Sequence, residues 1–210
     1  MRRSQCEITD PRELERILNL APIGHLATRD DQGYPYITPV NFVYLEGAVF
    51  FHSAPEGEKL DNLKRDDRVC FEADVPLAYV GVEFNRDRLP CLTHQLYHSV
   101  ILRGRARVLP EGEMKTRALN ALVARYESDA VFPPVTPDSP GYSGCLVVEV
   151  RPERMTGKSD LSQSRTAPGH QRVVAEGLLR RGLPGDLQAV EAMGFETAGD
   201  DQGGRRLKDQ

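Results

Sequence analysis

The sequence predicts a mainly β protein, a small antiparallel barrel with flanking helices. Two observations carry that expectation. About six segments rich in β-branched and aromatic residues are joined by short turn signals, the pattern of a barrel of hairpins. The long alternation of helix and strand that builds a doubly wound sheet is missing. So are a G-x-G-x-x-G after a first strand and a G-x-x-x-x-G-K-[ST] loop, which argues against Rossmann-type dinucleotide binding and P-loop chemistry.

The elements follow in order. Asp10-Pro11-Arg12-Glu13 starts a helix: Asp10 caps it, Pro11 suits the first helical position, and Glu13 can reach back as in a capping box. Leu14, Ile17 and Leu18 supply its apolar face, and residues 19–22 end it. Residues 23–28 are strand-like, 29–33 a polar turn closing on Gly33, and 34–45 a strand. Glu46-Gly47 is a two-residue hairpin signal leading to the return strand 48–53, so these segments make a three-strand antiparallel meander. A short helix over 56–65 and a fourth strand over 68–75 come next, and 76–95 show no clear period. Residues 96–109 are a long strand with Gly104 as a bend or bulge. Met114, Ala118, Leu122 and Tyr126 recur at spacing four, which predicts an amphipathic helix over 111–127. A Pro-rich loop over 132–141 and a last strand over 145–150 follow, the strand closing before Arg151-Pro152.

The barrel domain is placed at residues 8–160 and a C-terminal helical extension at 161–198, the latter beginning with a polar linker over 161–169. Its helices are expected at 170–181 and 186–193. Residues 199–210 are polar and Gly-rich and are expected to form a disordered tail.

Composition narrows the function classes. Lys and Arg number 27 against 31 Asp and Glu, a net charge of −4, so general duplex binding through phosphates is not expected. No run of about 18 apolar residues suggests a transmembrane helix, and the N-terminal stretch lacks the apolar core of a secretory signal. Four cysteines without close pairing do not make a disulfide framework. The expectation is a reduced, cytoplasmic chain with no nucleic-acid or membrane partner.

Four constellations stand out. In His52-Ser53-Ala54-Pro55-Glu56-Gly57-Glu58-Lys59 a strand ends on a hydroxyl and runs into a helix whose first turn carries a lysine. Free N–H groups, a serine and an ammonium make an anion site; the competing reading is a turn capped by Ser53 with Lys59 solvated. Thr38-Pro39-Val40-Asn41 places a proline inside a strand, so one side of that strand is unpaired or bulged. That fits either an ordinary edge strand or backbone groups left for a planar, hydrogen-bonding ligand. Cys91, His94 and His98 have an approximate metal-ligand spacing, but on a strand they would not converge, so packed or solvated histidines are expected and no metal site. Arg103, Arg105 and Arg107 alternate onto one strand face, either as an anion-facing row or paired with carboxylates.

Several ordered segments together resemble the split barrels related to pyridoxamine 5′-phosphate oxidase, and more narrowly their nitroimidazole-resistance (Nim-like) branch. They are GYPYITPVNFVYLEGAVFFHSAPEGEKLDNLKRDDRVCFEAD, LYHSVILRGRARVL and RMTGKSD. The resemblance implies a six-stranded antiparallel split β-barrel that dimerises with FMN, or alternatively FAD, at the subunit interface. It implies that Thr38, Pro39, Val40 and Asn41 meet the isoalloxazine ring and that His52, Ser53 and Lys59 grip the ribityl phosphate. Tyr97, Ser99 and Val100 would complete the flavin site, with Lys158 near it, and His52 would be the candidate catalytic residue. The implied activity is FMN-dependent reduction of a small molecule such as a nitroaromatic, with NAD(P)H as donor. The alternatives are a flavin- or haem-binding module without turnover and pyridoxamine phosphate oxidation; for the latter, the substrate pattern is not apparent in this chain.

Overall fold

The computed structural model describes residues 3–127, 131–163, 169–199 and 204–208. Along the chain come β1 (Glu7–Ile8), α1 (Pro11–Leu20), β2 (Gly24–Arg29), β3 (Pro35–Val40), β4 (Phe42–Leu45) and β5 (Ala48–Ser53). They are followed by α2 (Glu58–Arg65), β6 (Arg68–Val80), β7 (His94–Val108), α3 (Glu113–Tyr126) and β8 (Leu146–Asp160). The last elements are α4 (His170–Arg181), α5 (Asp186–Ala192), β9 (Thr197–Gly199) and β10 (Arg205–Leu207).

The main sheet has the order β3-β2-β6-β7-β8-β5-β4, β1 adds to β8, and β9 pairs with β10 apart from it. Pairing is antiparallel at β2/β3, β2/β6, β4/β5, β5/β8 and β1/β8. The expected three-strand meander is not formed. β2 pairs with β3 and β4 with β5, but β3 and β4 lie at opposite ends of the strand order. The expected strand 34–45 is cut at Asn41, so one stretch of chain supplies both sheet edges. Cα atoms across one peptide are about 3.8 Å apart, so edges joined through a single residue force the sheet to curl on itself. The result is a mainly β, open split barrel with flanking helices. The cut at Asn41 and the short β1 account for eight strands where six were expected.

Pro39 sits in β3, which has a partner only in β2, so its missing N–H weakens no interior ladder. The long strands outrun their expected limits. β6 continues to Val80, β7 begins at His94, and β8 passes through Pro152 to Asp160 instead of closing at 150. Gly104 on β7 makes room for that continuation: a Cβ there would lie 2.1 Å from the Arg151 carbonyl oxygen and 2.9 Å from Pro152 Cα.

Contacts divide the chain into two compact units that cut across the sequential division expected above, with β6, β7 and β8 running on from one into the other. One unit comprises Asp10–Asp74 and Val100–Thr156. Its core includes Leu26, Phe42, Phe51 and Phe71, with the Phe42 and Phe71 rings edge to face at 5.0 Å. Asp10 caps α1 as expected, accepting from the Arg12 N–H at 2.9 Å, while the Glu13 carboxylate binds Arg16. Val43, Phe50, Ala118, Leu122 and Val147 form a further apolar cluster with Met114 packed against it, so the predicted face of α3 is buried except at Tyr126, which is exposed. Of the β7 arginines, Arg105 pairs with Asp67 and Glu153, and Arg107 with the buried Glu149.

The other unit comprises Met1–Thr9, Val75–Ser99 and Gly157–Gln210. Val174, Ala175, Leu178, Ala189 and Val190 are fully buried there. Arg181 ties its segments together, bonding Asp186 at 2.6 Å, the Tyr79 carbonyl at 2.8 Å and Glu83 at 3.2 Å. The expected polar linker begins differently, since Leu161 and Ser162 are buried; residues 164–168 lie outside the described residues. The expected tail likewise contains structure: β10 pairs with β9 and buries Leu207, which local polarity concealed. Residues 200–203 and 209–210 of that tail are not among those described.

All four cysteines are free, Cys6 buried and Cys91 exposed. Among the described residues no helix is long and apolar enough to cross a membrane.

The tight approach at Gly104 makes a direct prediction. Gly104→Ala forces a methyl group into the Arg151 carbonyl, where backbone rather than a flexible side chain would have to give way. It should lower stability by about 1–3 kcal/mol, the range for overpacking, read from chemical denaturation. An unchanged midpoint would show that β7 and β8 do not approach this closely.

Candidate functional site

β5 and the turn after it carry the first group of candidate residues. Alternation along β5 buries Phe51 and Ser53 and leaves His52 exposed. Ser53 does not cap α2: its hydroxyl donates to the neighbouring Ala54 carbonyl at 3.0 Å. The N-cap of α2 is Gly57, at φ 128°, and no side chain caps that helix. The Leu60 and Asp61 N–H groups bond the Gly57 carbonyl at 2.9 and 3.2 Å, which leaves those of Glu58 and Lys59 without a cap. Lys59, in the same turn, is half-buried over the Phe51 ring, 5.6 Å from its centroid, and has no carboxylate partner among the described residues. Burial pulls its pKa below that of a free lysine. An unpaired, partly desolvated ammonium beside open N–H groups favours an anion with several acceptor oxygens. Glu58 and Asp61 also lie in this first turn, but Asp61 is engaged by Lys64 at 3.0 Å.

His52 opens onto a cavity of about 280 Å³, mainly apolar, lined also by Asn41, Cys145 and the α3 residues Leu119, Leu122, Val123, Tyr126 and Glu127. Asn41 is there because it is the link between the two sheet edges, and Cys145 because it immediately precedes β8. The α3 wall and Cys145 were not anticipated. Spacing in α3 gave an apolar face, but nothing local showed which part would remain open.

On β3, Thr38 opposes Leu26 and Pro39 opposes His25. Pro39 is exposed and Val40 buried, while the Thr38 hydroxyl is buried without a hydrogen-bond partner. A buried unsatisfied hydroxyl costs about 1–3 kcal/mol, and a polar ligand would relieve that cost. The open N–H groups, the unpaired lysine and the orphaned hydroxyl suit a phosphate-bearing, hydrogen-bonding cofactor. Val100 is fully buried in the core.

Tyr97, Ser99 and Lys158 belong to the other compact unit. The structure brings two of them together: the Lys158 ammonium donates to the Tyr97 hydroxyl, sits 4.6 Å from its ring centroid, and lies 3.4 Å from an Asp160 oxygen. Burial opposes the charge on Lys158, but the Tyr97 hydroxyl and the Asp160 carboxylate outweigh it and raise the pKa. Ser99 is half-buried. In the same unit the spaced histidines are absorbed by serines, His94 bonding Ser162 at 2.7 Å and His98 bonding Ser159 at 2.9 Å, while Cys91 stays exposed.

The fold is that of a split-barrel protein. The family model for pyridoxamine 5′-phosphate oxidase matches residues 10–159, and the chain belongs to that family. A search of curated proteins finds no match. Among solved structures, a candidate 5-nitroimidazole antibiotic resistance protein from Bacteroides thetaiotaomicron is 26% identical with a TM-score of 0.60, over 72% of this chain and 85% of that one. Flavocytochrome Anf3 from Azotobacter vinelandii is 20% identical with a TM-score of 0.62, over 80% and 73% of the two chains. An FAD- and haem-binding protein from Mycobacterium smegmatis is 16% identical with a TM-score of 0.63, over 78% of each. The last two comparisons speak to the fold alone.

The Lys158–Tyr97 bond has a pH signature. A raised folded-state pKa gives stability that is fully present below the unfolded value of 10.5 and is lost as pH rises through the folded one. Urea midpoints should therefore fall from about pH 10.5 upward. Tyr97→Phe should flatten that fall relative to the parent protein, and superimposable alkaline profiles would mean that the bond contributes nothing.

Proposed function

We propose that the protein binds FMN and acts as a flavin-dependent oxidoreductase. The observation that carries this is Lys59, unpaired and partly desolvated beside the uncapped start of α2. Family membership and the likeness to a candidate nitroimidazole-resistance protein support the reading. The Lys59 ammonium and the α2 N–H groups hold the phosphate, and the Thr38 hydroxyl and Asn41 offer hydrogen bonds to the ring system. Bound flavin supplies the hydride chemistry, with NAD(P)H as donor and a small oxidant such as a nitroaromatic as acceptor. The apolar walls from α3 exclude water beside His52, whose imidazole is placed to give a proton to an acceptor in that cavity. A homodimer closes the flavin site, because a barrel this small offers little depth from one chain. Four free cysteines fit a reducing, cytoplasmic setting.

Lys59→Ala should weaken FMN binding by about 1.5–3 kcal/mol while leaving riboflavin affinity nearly unchanged. Parallel fluorescence titrations read the difference, and equal losses for both ligands would remove Lys59 from the phosphate site. His52→Gln should retain bound flavin and lower NAD(P)H-driven turnover per flavin by roughly 10²-fold. Full turnover per flavin would end the proton-transfer role, and absence of turnover in the parent protein across an acceptor screen would leave a binding module. Light scattering with FMN present should give the mass of two chains; tight binding by a monomer overturns the dimer.

A further inference from the structure

We propose that His25, Glu72 and Asp74 form a binding site for a divalent transition-metal ion of the zinc type, separate from the residues assigned to flavin. The site is built by register. β2 and β6 are antiparallel neighbours, and His25 stands directly opposite Glu72. Asp74 is two residues further along β6, so alternation brings it to the same face. The residues between them, Leu26, Phe71 and Ala73, point into the core and are fully buried, while all three candidate ligands are half-buried.

The geometry suits one ion. One ligand atom from each residue lies within 4.8 Å of the other two, and His25 Nδ1 is 3.3 Å from Glu72 Oε2. Ligand atoms bound to zinc at about 2.0–2.2 Å in a tetrahedron stand roughly 3.3 Å apart, so the His25–Glu72 pair already has the spacing and a side-chain rotation of Asp74 completes it. One imidazole nitrogen with two carboxylates selects a borderline ion over calcium or magnesium, which prefer all-oxygen shells. Three protein ligands leave the fourth position to water.

Electrostatics points the same way. Among the described residues neither Glu72 nor Asp74 forms an ion pair with lysine or arginine; Glu72 has His25 as its partner at 3.3 Å. Glu72 and Asp74 stand two residues apart on one half-buried strand face, where two carboxylates repel each other. Elsewhere in this unit, carboxylates at close quarters are neutralised, as Asp66 is by Arg29 and Arg68, and Glu149 by Arg107 and Arg151. A divalent cation supplies the missing neutralisation here. It would also cross-link β2 to β6 beside the strand that carries Thr38 and Pro39, since His25 opposes Pro39 on its other side.

The test uses the full chain stripped with EDTA and titrated calorimetrically with zinc chloride alone. One equivalent should bind saturably and raise the thermal midpoint as zinc is added. His25→Asn, Glu72→Gln and Asp74→Asn should each reduce affinity by at least roughly tenfold. Cys70→Ser and Cys91→Ser should leave it unchanged, which separates this site from thiol binding. Glu72→Gln and Asp74→Asn should keep or raise the metal-free midpoint, because each removes a repulsion; that separates lost ligation from lost folding. Absence of saturable binding, binding that survives all three ligand substitutions, or loss caused by either serine variant overturns the proposal.

Discussion

A single peptide step at Asn41 joins the two edges of the sheet, and the rest of the structure accommodates it. β3 and β4 are consecutive in sequence but terminal in strand order, so the strands between them must be arranged on a curve whose ends meet at one residue. The long strands β6, β7 and β8 answer that demand in the middle of the sheet, where Gly104 lets two backbones approach more closely than any side chain would allow. The same step fixes where chemistry can occur. Asn41 is held beside the end of β5 and the wall of α3, so a cavity opens at the seam. Its position follows from topology, with the polar groups Asn41, His52 and Cys145 brought in by three separate segments.

Charge in this chain is mostly spent on holding segments together. Arg181, Arg105 and the Arg107–Glu149–Arg151 group each connect stretches distant in sequence. Exposed pairs of this kind contribute little each, about 0–1 kcal/mol, whereas the buried Glu149 depends on both of its arginines. Against that background the unneutralised groups stand apart. Among the described residues Lys59 has no carboxylate partner, and neither Glu72 nor Asp74 is paired with lysine or arginine. Folding alone does not account for either arrangement, and both lie on surfaces open to small ligands.

Much of the architecture was legible because it rests on local signals. The Asp10 cap, the Glu46-Gly47 hairpin, the spacing in α3 and the helices α4 and α5 are each specified within a few residues. The meander failed because strand period continues unbroken through Asn41; the chain's change of edge is a tertiary event with no local mark. β8 was cut short at Pro152 because the accommodation for that proline lies 48 residues away, at Gly104. At the site, the lysine and histidine of 52–59 were visible as a strand running into a helix, but the alternative of a turn capped by Ser53 is not formed, since its hydroxyl turns to the adjacent carbonyl. Val100 was placed by resemblance, and its position in the alternation buries it. His25 and Glu72 are 47 residues apart and meet only through strand register, which no pattern in one sequence reveals.

The four thiols differ sharply in environment. Cys6 is buried, and burial, followed by the Asp160 charge, raises its pKa, whereas Cys91 is exposed beside a short 3₁₀ turn. Thiolate supply and access together govern alkylation rates. A maleimide added in limiting amount would consequently mark Cys91 well before Cys6, and with the half-buried Cys70 and Cys145 replaced by serine Cys91 becomes a site-selective attachment point for a fluorophore or spin label. A label there would sit in the stretch of chain between β6 and β7.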